Sequence, residues 1–312
     1  MELGGLLTYG VFFLTQAGIY AVLALGLNVQ YGLTGQINIG VAGFFAVGAY
    51  TSAILTTATS SAHLGGFDLP FLVGIAGAMA ASAIVAVGIG WVTMRLRSDY
   101  LAIATIGIAE IIRLAFKNEE WLTNGVRGIP GIPRPFVETL GADPLISLGV
   151  VLGFILLGYW MVERARRSPW GRVLRAIREN EDGVMAAGKN VARFRLQAFV
   201  FGSSLMGMAG GLYAHFLGFI SPEAFMPLYG TFLVWVMLIA GGAGNNRGAV
   251  LGAFAIWMLW SATDSLTREL GAEYATQAGA LRVLLIGVLL QVILIARPQG
   301  ILPEHGRRKG SR

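Results

Sequence analysis

LGGLLTYGVFFLTQAGIYAVLALGLNVQYGLTGQINIGVAGFFAVGAYTSAILTTATSSAHLGGF, Leu3 to Phe67, runs for 65 residues without a single Asp, Glu, Lys or Arg. Four more charge-free windows follow: Leu69 to Met94, Pro144 to Val162, Leu196 to Pro222 and Ala224 to Asn246. Each is near or above the ~20 residues that a helix needs to cross a bilayer core. The whole chain of 312 residues is 55% hydrophobic and only 13% charged, with a mean hydropathy of +0.66. A soluble domain carries roughly 25% charged residues, so the composition argues against a water-soluble enzyme. The pattern predicts an all-α polytopic helical membrane protein whose single transmembrane domain covers 1–312.

Composition narrows the chemistry further. There are no cysteines and three histidines (His63, His215, His305), which leaves no thiolate metal site and argues against a His-built centre. No cofactor and no metal are expected. The 23 Lys and Arg against 17 acids would suggest nucleic acid in a soluble chain. Here their placement speaks of topology instead, so no nucleic-acid partner is expected. The first thirty residues hold Glu2 and no basic n-region, and the segment reads as a retained first helix.

The apolar runs predict about nine spans, near 6–27, 35–57, 70–94, 100–117, 145–163, 195–219, 226–243, 248–264 and 281–297, with eight or ten left open by short or Gly-broken runs. Lys and Arg accumulate on the cytoplasmic side of short loops. Residues 164–195 hold nine basic and three acidic residues, and 297–312 five against one, so both belong inside. Threading nine spans between these points puts Arg95, Arg97 and Arg247 inside as well, with the N-terminus outside and the C-terminus, including a basic tail over 298–312, inside. The outside segments 118–144 and 263–278 each carry a net charge of −2.

The first charge-free stretch is interrupted by Asn28-Val29-Gln30-Tyr31-Gly32-Leu33-Thr34-Gly35-Gln36-Ile37-Asn38-Ile39-Gly40. Unpaired amides and backbone groups cost several kcal/mol each in hydrocarbon, so this segment must face protein or a water-filled path. A similar interruption is Gly241-Gly-Ala-Gly244-Asn245-Asn246-Arg247-Gly248. Paired discontinuous helices mark a translocation route. Plain cytoplasmic turns are the competing reading of both. The shared Gly-x-x-Gly at Gly32/Gly35 and Gly241/Gly244 hints at an internal repeat. Small residues in Gly40 to Thr51, Gly207-x-x-x-Gly211 and Gly149-x-x-x-Gly153 read as close helix packing.

Glu110 and Arg113 lie three apart on one helix face, where each neutralises a charge that alone would cost about 2.5–3.5 kcal/mol at mid-membrane. Structural pairing and a proton relay both fit them. A packing role is expected for Gln291 and His215. The long inside segment places Leu174 and Ile177 at helical spacing beside Arg172, Arg175 and Arg178. It predicts a short amphipathic helix and then a second one broken at Gly183 and Gly188. A lipid surface and a soluble protein partner both suit such a loop, and Glu179, Glu181 and Asp182 favour the protein. Gly183 to Asn190 approaches a phosphate-binding loop, but Asn190 replaces the required hydroxyl and no strand precedes it. Nucleotide hydrolysis therefore belongs to another subunit.

At this point the chain resembles the permease subunits of branched-chain amino-acid ABC transporters, a family with urea and amide relatives. The resemblance spans nearly the whole length. It is carried by Gly26-Leu27-Asn28 with Gly35, by Gly40 to Thr51, and by Trp170-Gly171-Arg172 running through Arg178-Glu179-Asn180-Glu181 to Gly188. Further matches are Gly207-x-x-Gly210-Gly211-Leu212-Tyr213-Ala214, Ile220-Ser221-Pro222-Glu223, Gly241-Gly242-x-Gly244 and Arg297-Pro298-Gln299-Gly300-Ile301-Leu302.

The resemblance implies a bacterial inner-membrane importer built with a second homologous permease, two cytoplasmic ATPase subunits and an external substrate-binding protein, all in contact with membrane lipid. It implies that 164–195 is the ATPase-coupling loop, with Arg175, Arg178, Glu179, Glu181, Gly188 and Asn190 as the coupling residues. For the path, the neutral amides Asn28, Gln36 and Asn38 suit a zwitterion, while Phe44 and Phe45 suit an aliphatic side chain. The rival class is a stand-alone channel or secondary carrier for a small neutral solute such as urea or an amide.

Overall fold

A computed structural model describes residues 3–60, 63–93, 98–136, 144–268, 275–297 and 299–304. In chain order the helices are α1 (Leu3–Leu27), which continues as a π-helical turn over Asn28–Leu33, then α2 (Val41–Thr56), α3 (Phe71–Thr93), α4 (Ser98–Asn118) and α5 (Glu120–Thr123). They continue as α6 (Pro144–Arg167), α7 (Pro169–Glu179), α8 (Glu181–Ala186), α9 (Val191–Leu217), a second π-helical turn (Leu228–Phe232) leading into α10 (Leu233–Gly241), α11 (Asn246–Arg268) and α12 (Ala275–Ala296). The described residues thus hold a helix at each of the nine predicted runs. Three stretches, Thr8–Leu33, Phe71–Thr93 and Pro144–Arg167, are individually long and apolar enough to cross a membrane, and Val41–Thr56 and Leu228–Gly241 are shorter apolar helices.

The core forms where α9 packs against α1, α2 and α3. Glycine allows these backbones to meet: a Cβ on Gly48 of α2 would lie 2.5 Å from the Cα of Gly207 in α9. Without a hydrophobic drive between helices in lipid, close backbone approach of this kind is what holds them. Aromatic rings fill the space beside the crossing, with Phe45 edge-on to Tyr213 at 5.1 Å and to Phe225 at 5.2 Å. On its other sides α1 packs against α6 and α11, and α10 and α12 pack against α11.

The connections sort into two groups at opposite ends of the helices. At one end Ile129 and Pro130 pair antiparallel with Ile220 and Phe219, the Leu64 amide donates to Trp121 O at 2.8 Å, and Lys117 lies 3.7 Å from Glu223. These are segments that the charge pattern sends to one side. At the other end gather the 242–245 turn, α7 and residues 299–304. There Ile301 and Leu302 donate to Ala240 O and Gly241 O at 2.8 and 2.9 Å. Position 298 and residues 305–312 of the basic tail lie outside the described residues.

Four expectations need correction. The chain does not break at Asn28: it stays helical to Leu33, because the amides of Asn28 and Gln30 are satisfied by other helices, and only Gly35 to Gly40 is irregular. The second cytoplasmic helix runs through Gly183, whose N–H is capped by Asn180 Oδ1 at 2.9 Å, and ends at Ala186, with Gly188 at φ of +75° in the turn that follows. Gly149 and Gly153 meet no helix among the described residues, unlike Gly207 and Gly211, because they lie on the outward face of α6. Gln291 is exposed on α12, not packed.

Candidate translocation and coupling site

The amide-rich segment is held by a hydrogen-bond network that crosses the subunit. Asn28 Nδ2 donates to Asn246 Oδ1 at 2.8 Å, and Asn28 Oδ1 accepts the Gly244 N–H at 2.8 Å. Asn246 Nδ2 in turn donates to Glu163 at 2.8 Å. Gln30 Nε2 donates to Phe199 O at 2.8 Å and to Ser203 Oγ at 3.0 Å, while its carbonyl accepts from Asn38 Nδ2 at 2.7 Å. Trp235 Nε1 donates to Asn38 O at 2.9 Å, which anchors the irregular stretch to α10. Gly32 abuts the backbone of Gly244, so the two Gly-x-x-Gly segments meet in space.

Of the five path candidates, Asn28, Asn38, Phe44 and Phe45 are buried and engaged within the subunit; Phe44 sits edge-on to Phe199 at 5.5 Å. Gln36 differs. It is 3% exposed, and neither polar atom of its amide meets a hydrogen-bonding partner among the described residues. A buried polar group without a partner costs about 1–3 kcal/mol and calls for an explanation.

The coupling candidates divide by direction. Arg178 turns into the fold, where one guanidinium nitrogen donates to the Gly32 carbonyl and another to Glu304 Oε2 at 2.7 Å. Its stem lies against Gly35, whose φ of +73° suits glycine. Arg175 reaches Arg166 O only at 3.5 Å. Glu181 pairs with Arg195 of α9 at 2.8 Å, and Asn190 Oδ1 accepts the Arg193 N–H at 3.0 Å to cap α9. Glu179 and Gly188 remain exposed, with Met185 half exposed between them. Leu174 and Ile177 bury the apolar side of α7 as its spacing predicts.

Sequence reasoning missed Gln30, Trp235, Asn246, Glu163 and Glu304 as members of this network. Asn246 stood next to a glycine-rich run, but nothing in the order of residues joins Arg178 to Glu304. Elsewhere the Glu110–Arg113 pair is bidentate at 2.5 and 2.9 Å. His215 is satisfied by Ser52 Oγ at 2.9 Å and Pro133 O at 2.7 Å. Replacing Asn28 with Ala removes the partners of the Gly244 N–H and of Asn246 Oδ1, at a cost of about 1–3 kcal/mol. Thermal unfolding in detergent, followed by intrinsic fluorescence, is expected to shift down by several degrees.

A membrane-embedded bundle whose two amide- and glycine-rich segments meet beside a docked amphipathic loop has the form of a permease. Residues 9–294 match the permease component of branched-chain amino-acid transport systems, and the chain belongs to that family. Its work is transport across a membrane, not enzymatic catalysis. It is 34% identical over 309 residues to the high-affinity branched-chain amino acid transport system permease protein LivM of Escherichia coli K12, covering 91% of this chain and 68% of that one. The probable LivM of Methanocaldococcus jannaschii is 30% identical, over 92% of this chain and 91% of its own. LivH of Salmonella typhimurium is 24% identical over 91% and 94%. No solved structure matches the chain.

Proposed function

We propose that this chain is one of two unlike permease subunits of an ABC importer for branched-chain amino acids in a bacterial inner membrane. It crosses the bilayer nine times with the N-terminus outside. Two ATPase subunits act on its 164–195 loop from the cytoplasm, and a binding protein delivers substrate from outside. The observation that carries the coupling is the bond from Arg178 to the Gly32 carbonyl, because it ties the ATPase-facing loop to the irregular segment at Gly35 to Gly40. The exposed rim from Glu179 to Gly188 is the surface offered to the ATPase.

In this mechanism no residue acts as nucleophile or acid. ATP-driven closure moves α7, α7 moves the Gly32 to Gly40 segment, and the route opens alternately to each side. Coupling of this kind needs contacts that differ between the two states. Gln36 is the route's substrate-facing amide. Asn28, Asn38, Phe44 and Phe45 hold its wall from behind. The relatives named LivM and LivH support the substrate class.

Uptake by proteoliposomes holding this chain with its second permease, ATPases and binding protein tests the proposal. Radiolabelled leucine, isoleucine or valine is expected to accumulate only with ATP and binding protein. Gradient-driven flux of urea or an amide through the isolated chain would establish the channel reading instead. Replacing Arg178, Glu179 and Gly188 together is expected to abolish both uptake and stimulated ATP hydrolysis while leaving membrane insertion intact.

A further inference from the structure

At the C-terminal end of α6 two cavities adjoin, sharing Tyr159, Glu163 and Arg167. The inner one, of about 230 Å³, is lined mostly by charged and amide residues and reaches Arg166, Asn245 and Arg247. The outer one, of about 690 Å³, opens sideways along Leu156, Trp160 and Arg164. We propose that the pair forms a binding site for one anionic phospholipid, with the headgroup phosphate in the inner chamber among Arg166, Arg167 and Arg247 and an acyl chain along Leu156 and Trp160.

The side chains change character at the depth a lipid does. Leu156, Trp160, Arg164 and Arg167 follow one another at spacings of four, four and three along α6, so they share one helix face. Over about 16 Å that face passes from hydrocarbon to guanidinium. Leu156 is 69% and Trp160 59% exposed, on a helix side turned away from the bundle. The Arg164 guanidinium lies 6.0 Å from the Trp160 ring centroid, and indole favours the boundary between acyl chains and headgroups.

Charge selects the headgroup. Arg164, Arg166, Arg167 and Arg247 stand around Glu163, which already accepts from Arg166 at 2.6 Å, Arg167 at 2.6 Å and Asn246 at 2.8 Å, while Glu304, the second carboxylate near the chamber, is paired with Arg178 at 2.7 Å. The cluster keeps a clear positive excess. Arg247 and Arg167 are exposed and line the chamber. A zwitterionic headgroup would bring its own cation into this cluster, whereas phosphatidylglycerol brings only phosphate and hydroxyls. Basic pockets between helices at the membrane surface recognise anionic lipid on this principle. Because Glu163 also holds Asn246, the bound lipid sits one hydrogen bond from the Asn28 network.

The test uses the transporter purified with its native partners and placed in phosphatidylcholine nanodiscs containing one part in five of phosphatidylglycerol bearing a headgroup photolabel. Peptide mapping is expected to find the label on residues 156–168 and 244–247. Native mass spectrometry after delipidation is expected to find phosphatidylglycerol retained over phosphatidylcholine, and Arg167→Gln with Arg247→Gln to lower that preference about tenfold. Label confined to other segments, or equal retention of both lipids by the unaltered protein, overturns the proposal. So does displacement of the label by equimolar inorganic phosphate, which would mark a site for free anions. Retention unchanged in the double variant, with loss of the ATPase subunits, would make the arginines a protein-docking patch and equally overturn it. The photolabel map needs no variant, so a double variant that fails to fold leaves the proposal fully testable.

Discussion

Replacing Arg178 with Ala is expected to lower ATP-driven uptake about a hundredfold while the transporter still assembles and hydrolyses ATP at its basal rate. The guanidinium spans three parts of the fold: α7, the Gly32 carbonyl at the end of the π-helical turn, and the Glu304 carboxylate 2.7 Å away. Arg178 and Glu304 are 18% and 8% exposed at their side chains, so each loses most of its water on folding. Removing one partner of a buried pair costs about 3–5 kcal/mol, because the other charge is stranded. At about 1.4 kcal/mol per factor of ten, even the lower figure corresponds to roughly a hundredfold if it falls on the coupled states.

Glu304→Gln separates the two effects. In the Arg178→Ala background it removes the stranded charge, so stability is expected to recover while uptake stays low. Uptake in proteoliposomes and thermal unfolding, measured on all four combinations, form the cycle that checks this. Normal uptake by the Arg178→Ala variant would exclude the bond to Gly32 as the link between loop and route.

Replacing Gly48 with Leu is expected to abolish folded protein altogether. The obstacle is backbone: the new Cβ would lie 2.5 Å from Gly207 Cα and 2.7 Å from its carbonyl carbon, and neither can rotate away. α2 and α9 would have to separate along their whole crossing, giving up the ring packing of Phe45 against Tyr213 and the contacts of Ala49 and Gly210. Gly48→Ala should already weaken assembly. Gly149→Leu is the control, since nothing stands within 4 Å of that glycine and the folded yield should be unchanged. Size-exclusion profiles of detergent extracts distinguish the three outcomes. A monodisperse Gly48→Leu protein would mean that the two helices do not meet at this point.

Both variants act where sequence reading succeeded only halfway. Glycines at Gly48 and Gly207 were legible as packing residues, because small side chains at helical spacing have few other uses in a membrane. The same logic applied to Gly149 and Gly153 failed. Spacing records that a helix face is small, but not whether another helix lies against it. The interruption after Asn28 was also legible as a place lipid could not touch. Its form was not: Asn246, Phe199 and Ser203 satisfy its amides from more than a hundred positions away, and that supply kept the chain helical to Leu33. Gln36 carried no mark to set it apart from Asn28 or Asn38 until the structure showed two engaged amides and one idle.

What the order of residues determined by itself is the solvent. Charge-free windows of bilayer length, and basic residues gathered in a few loops, follow from the cost of moving charge into hydrocarbon, and that cost is paid residue by residue without reference to neighbours. What only the tertiary structure decided is which polar groups answer one another. A hydrogen bond depends on distance in space, and the helices that bring Arg178 to Glu304, or Asn28 to Asn246, are joined by stretches whose sequence says nothing of where they lead.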